Sequence, residues 1–129
     1  MEIKVGLIGE VKEKVCDGNT AKEVGSGSLE VFATPAMIAL MEKASCVALE
    51  GYIDEGTTTV GTKVDIEHVA ATPLGMTVTV RSTVTEVDGR RICFAVEAFD
   101  EAGLIGKGNH ERFVVFSEKF MAKTNSKGK

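Results

Sequence analysis

The stretch ATPAMIALMEKASCVALEG, residues 33–51, decides how the rest of the chain must be arranged. Thr34 stands where an N-cap side chain belongs, Pro35 suits the first helical position, and Gly51 stands where a helix stops. A helix over residues 35–50 is therefore predicted. Within it Ala36, Met37, Ile38, Ala39, Leu40, Met41, Ala44, Cys46, Val47, Ala48 and Leu49 leave only a narrow polar stripe. Such a helix is covered on most sides, by a sheet and by a second protein surface. Glu42 is the oddity in it, a carboxylate in apolar company.

Outward from the helix the pattern changes to a period of two. Residues 3–15 alternate imperfectly and read as a first strand, and residues 16–32 supply turn formers and a flexible GSGS. After YIDEGTTT, the segment VGTKVDIEHVA puts Val60, Thr62, Val64, Ile66 and His68 on one face of a strand, and Lys63, Asp65 and Glu67 on the other. A third strand points Met76, Val78, Val80 and Val84 inward; a hairpin signal at DGR leads to a fourth with Ile92, Phe94, Val96 and Ala98 inward. A fifth, LIGKGNHERFVVF, has its alternation blurred by Gly106 and Gly108. The expected fold is α+β, an antiparallel five-stranded sheet wrapped around one long central helix. A lone helix so apolar would leave grease exposed, which implies a homodimer, or a dimer of such dimers.

Composition narrows the function classes. The 129 residues, 43% of them hydrophobic, suffice for one domain, read as residues 1–118, with residues 119–129 as a flexible basic tail. A net charge of −4 and only six Phe, one Tyr and no Trp argue against a nucleic-acid partner. No segment is long and apolar enough to span a membrane, and the start resembles no signal peptide, so a cytoplasmic location is expected. Cys16, Cys46 and Cys93 are odd in number and widely spaced, and read as buried small hydrophobes, neither disulfide-bonded nor metal-bound. Asp65 and Glu67 face away from His68, so no metal site is expected.

Thr34, Glu42 and His68 are each explicable alone, as a helix cap, a solvated acid and a satisfied core histidine. Together they belong to a larger pattern. The run FATPAMIALMEKA, the acid eight residues after its Thr, the HVAATPLG stretch and the late GNHER resemble the hotdog-fold thioesterases of the fluoroacetyl-coenzyme A thioesterase type, over roughly residues 10–120. The resemblance implies that Thr34, Glu42 and His68 form a catalytic triad, and that Gly61 and Arg112 lie close to the bound thioester and coenzyme A. It also implies an acyl-CoA substrate, hydrolysis to free acid and CoA at a dimer interface, and no cofactor beyond the CoA of the substrate.

In such a site the helix N-terminus would hold a developing oxyanion. Glu42 would be nucleophile or general base, His68 would move the proton, and Thr34 would orient the acyl group or itself be attacked. His110, on the same strand face as Arg112, reads as structural. One departure stands out: the fluoroacetyl enzymes close their pocket with aromatic residues ahead of the helix, whereas VGSGSLEVF offers only Phe32, the residue of this segment expected to meet substrate. Fluorine recognition is therefore not expected. Two other classes share the fold, a hydratase or dehydratase acting on a CoA thioester and a non-catalytic acyl-CoA binding protein. A buried acid gives a mere binder nothing.

Overall fold

The computed structural model describes residues 2–128. Strand β1 (Ile8–Lys14) and a short helix α1 (Ala21–Val24) precede the long helix α2 (Thr34–Ala48). Four strands follow, β2 (Thr57–His68), β3 (Thr77–Asp88), β4 (Arg91–Phe99) and β5 (Leu104–Phe116), and then a helix α3 (Ser117–Asn125). The five strands form one antiparallel sheet in the order β1-β3-β4-β5-β2. Thus β2 does not pair with its successor. It lies at the far edge beside β5, and residues 69–76 carry the chain across to β3.

Helix α2 lies against the sheet through Met37, Leu40, Met41, Ala44, Ser45 and Ala48, the three- and four-residue spacing of one helical face. These side chains meet Val78, Val80 and Val84 of β3, Ile92, Phe94, Val96 and Ala98 of β4, and Ile105 of β5 in a single buried cluster. Burying a side chain the size of Met37 or Phe94 contributes about 1.5–3 kcal/mol. The inward faces expected of β3 and β4 are the ones found. One polar pair crosses this core, the Ser45 and Ser82 hydroxyls 2.8 Å apart, with Ser45 also donating to the Met41 carbonyl.

Within the single chain helix α2 is buried on one side, and Pro35, Ala39, Lys43, Cys46 and Glu50 lie exposed on the other, the face expected to meet a second protein surface. Several other expectations need correction. The N-cap of α2 is Ala33, and Thr34 is already helical. The first strand begins at Ile8, because the chain turns at Val5 and Gly6, with the Gly6 N–H on the Val84 carbonyl. Cys16 and Cys46 are exposed and Cys93 half-buried: Cys46 sits on the outer helix face, and Cys93 on the side of β4 opposite Ile92 and Phe94. Residues 117–125 are helical, and every residue of α3 is at least partly exposed. It is joined to the body by Ser117 donating to the Gly56 carbonyl, and Phe116 at its start is flanked by Arg90 and Lys119. Among the described residues no helix is long and apolar enough to cross a membrane.

Strand β2 holds the correction that matters most. Its pairing with β5 slips between Gly61 and Lys63, a bulge at Thr62, so the strand changes face there. Before the bulge Thr59 and Gly61 face α2, in place of Val60 and Thr62; after it Val64, Ile66 and His68 lie opposite the inward-facing positions of β5. The glycine at 106 has its own cause. A Cβ there would come 2.5 Å from the Met37 sulfur, so the helix rests where a side chain would otherwise stand.

Candidate active site

The N-terminus of α2 is fixed by its approach. Phe32 donates its N–H to the Thr72 carbonyl (2.9 Å) and Ala33 donates to the Asn19 carbonyl (3.0 Å). Met37 N–H then makes the first intrahelical bond, to Ala33. With Pro35 lacking an N–H, the amides of Thr34 and Ala36 are the donors the first turn leaves unpaired by the helix. Since Ala33 takes the cap position, the Thr34 side chain is free to turn outward.

It meets His68. Thr34 Oγ1 lies 2.7 Å from His68 Nδ1, a short contact in which the ring accepts from the hydroxyl or donates to it according to its tautomer. His68 is the last residue of β2, and the chain beyond it is tied down: Val69 and Ala70 both donate to the Ile105 carbonyl. Farther on, the Thr72 hydroxyl donates to Asp100 Oδ2 (2.8 Å), while Asp100 Oδ1 accepts from the amides of Ala102 and Gly103. The other ring nitrogen, Nε2, is buried with no hydrogen-bond partner. Burial holds the imidazole pKa below its ordinary 6.5, partly opposed by the backbone at Ala70. His68 is thus neutral at pH 7, as a proton acceptor must be.

A cavity of about 300 Å³ opens beside this pair, lined by Ser26, Val31, Phe32, Thr34, His68 and Val69 among others. The Phe32 side chain is 1% exposed and belongs to the core, so it floors this cavity and does not cap it. The larger cavity of about 400 Å³ between Tyr52, Ile53, Arg90 and Val114 holds none of the predicted site residues.

Glu42 lies elsewhere. Two turns along α2 from Thr34, about 12 Å at 1.5 Å per residue, its Oε2 accepts from Arg112 Nη1 at 3.1 Å. Arg112 is buried, and its fork is spent inward: Nε donates to Thr59 Oγ1 (2.9 Å), Nη2 to the Thr59 carbonyl (3.1 Å), and Nη1 also to His110 Nε2 (3.1 Å). Four of the five guanidinium N–H donors are thereby engaged within the chain. Gly61 makes the arrangement possible, because a Cβ there would stand 2.6 Å from Glu42 Oε2. Within one chain, therefore, Thr34 joins His68, and Glu42 joins Arg112 and Gly61. The two groups do not touch. Sequence reading missed Thr59 and the part played by His110; the signal available for the latter was its shared strand face with Arg112.

An antiparallel sheet around one long helix, in this arrangement, recurs in solved structures. The fluoroacetyl-CoA thioesterase FlK superposes with a TM-score of 0.92 at 37% identity, over 98% of each chain. A threonine-to-serine variant of FlK in complex with acetyl-CoA gives 0.90 at 37% identity, over 97% of this chain and 98% of that one. A thioesterase superfamily member from Thermus thermophilus gives 0.88 at 28% identity, over 96% of this chain and 92% of that one. The class is thereby defined: this is a hotdog-fold thioesterase, a thioester hydrolase. A fluoroacetyl-CoA thioesterase of Streptantibioticus cattleyicolor is 46% identical over 98 residues, 76% of this chain and 70% of its own length. The model of the fluoroacetyl-CoA-specific thioesterase family matches residues 15–118, and the chain belongs to that family.

Proposed function

We propose that the chain hydrolyses short-chain acyl-CoA thioesters, without selectivity for fluorine, at a site shared between two copies of itself. Coenzyme A enters as part of the substrate, and no further cofactor takes part. The observation that carries this reading is the separation of the triad: Thr34 and His68 are 2.7 Å apart, while Glu42 of the same chain is held by Arg112. A twofold-related copy supplies the missing carboxylate. The outer side of β2 has no strand neighbour, and the exposed face of α2 carries the small Ala39 at its middle, so both surfaces suit a second copy.

The thioester carbonyl lies at the N-terminus of α2, where the free amides and the helix dipole stabilise the oxyanion. Glu42 of the second copy draws the proton from a water that attacks the carbonyl carbon, and neutral His68 takes up that proton and hands it to the sulfur as the C–S bond breaks. Alternatively, Glu42 attacks the carbon itself, CoA leaves as the thiolate, and His68 takes the proton of the water that opens the resulting anhydride. Thr34 holds the imidazole and the acyl oxygen in line. The cavity beside Thr34 suits a small acyl group, and the segment at residues 25–31 brings no aromatic ring over it. A cytoplasmic setting fits a CoA substrate and cysteines that are all free.

Subunit exchange tests the composite site. Thr34→Ala and Glu42→Gln homodimers, each left with only residual turnover, should on mixing under exchanging conditions regain about a quarter of wild-type thiol release, since half the dimers become mixed and each holds one intact site of two. If one chain furnished the whole site, every site in the mixture would carry a lesion and nothing beyond the residual turnover would appear.

A further inference from the structure

We propose that His110 is a positioning residue for Glu42: a neutral imidazole with its proton on Nδ1, it accepts from Arg112 and keeps that guanidinium aimed at the carboxylate. The inference rests on Glu42 being the carboxylate of the thioesterase reaction. The hydrogen bonds assign the tautomer. His110 Nδ1 lies 2.8 Å from the Lys63 carbonyl, which only accepts, so Nδ1 carries the proton. Nε2 then presents a lone pair to Arg112 Nη1 at 3.1 Å, and a guanidinium only donates. The same Nη1 reaches Glu42 Oε2, also at 3.1 Å. Glu42 is 42% exposed along its side chain, so the helix surface does not confine it and Arg112 does.

Four elements pack around His110, and their effects on its charge oppose one another. From β4, Phe94 stacks on the ring with centroids 5.9 Å apart. From β2 comes the Lys63 carbonyl, from β5 the charges of Arg112 and Glu111, and from α2 that of Glu42. Burial lowers the imidazole pKa most and the Arg112 charge lowers it further; the Lys63 carbonyl and the Glu42 and Glu111 charges raise it without reversing that direction. Protonation would set N–H against N–H at Arg112 and release the fork.

A double-mutant cycle on purified protein reads this directly, with thiol release from acetyl-CoA as the assay. His110→Phe keeps the ring against Phe94 but removes the acceptor; it should lower kcat by roughly tenfold to a hundredfold with KM little changed. In a Glu42→Gln background the same change should cost almost nothing, because the group it positions is gone. His110→Gln, which restores an acceptor near Nε2, should recover most of kcat and make the acid limb of log kcat against pH less steep. Equal losses in both backgrounds, or a folded His110→Phe enzyme with wild-type kcat, would reduce His110 to a space-filler. If His110→Phe does not fold, an acid limb unchanged in His110→Gln overturns the inference in the same way. A Glu42→Gln enzyme with near-normal turnover would instead sink the assignment of Glu42, an outcome visible before His110 is touched.

Discussion

At the scale of single residues, the proposed mechanism makes activity depend on the protonation states of two histidines. His68 has its pKa lowered from 6.5 by burial, so the neutral ring that accepts a proton persists below the pH at which an exposed histidine would charge. The activity it supports is fully present above 6.5 and is lost as the pH falls through the lowered value. The kcat/KM profile should therefore be flat from neutrality down past 6.5 before it declines. His68→Ala should cost about 10²-fold or more in kcat/KM, the scale of general acid–base effects, with an unchanged circular dichroism spectrum. A folded His68→Ala enzyme with near-normal turnover would remove the residue from the mechanism.

At the scale of elements, the segment after β2 determines where His68 stands. It crosses from one edge of the sheet toward β3 and is clamped by Thr72, which is fully buried, onto Asp100 at the turn between β4 and β5. Burial alone would raise the Asp100 pKa, but the Ala102 amide, the Thr72 hydroxyl and the Gly103 amide together bring it below 3.8. A depressed carboxylate pKa contributes stability that is present above the unfolded value and lost as pH falls through the folded one. Asp100→Ala leaves the Thr72 hydroxyl buried and unpaired, at a cost of about 1–3 kcal/mol. Its urea midpoint should lie below wild type by a constant margin from pH 7 to pH 5, and the margin should narrow below pH 3.8. A margin that persisted undiminished in acid would mean that the carboxylate charge is not what holds the turn.

At the scale of the whole molecule, the covering segment sets what the enzyme discriminates. Residues 25–31 carry no aromatic ring, and Phe32 is turned into the core. Acetyl-CoA and fluoroacetyl-CoA should therefore differ in kcat/KM by little more than their reactivities in solution, because nothing over the cavity is built to sense the fluorine. Parallel thiol-release assays on the two substrates check this. Discrimination by several orders of magnitude would place fluorine recognition in some other group of the pocket.

The sequence by itself determined the helix, the inward faces of β3 and β4, the α+β class and the family, because each rests on local periodicity or on short motifs such as ATP, HVAATPLG and GNHER. The pairing of Thr34 with His68 followed once those motifs were set on a helix start and a strand end. Three things were decided only in three dimensions. The bulge at Thr62 exchanged the faces of β2, since register depends on the partner strand and not on the pattern of one strand. One face of α2 stayed exposed although its residues are apolar, since the sheet of a single chain reaches only one side of a helix. And Glu42, which the eight-residue spacing already set about 12 Å along the helix from Thr34, found its partner in Arg112, 70 positions along the chain. Such long-range pairing is settled by packing and charge in the folded sheet, and no local signal announces it.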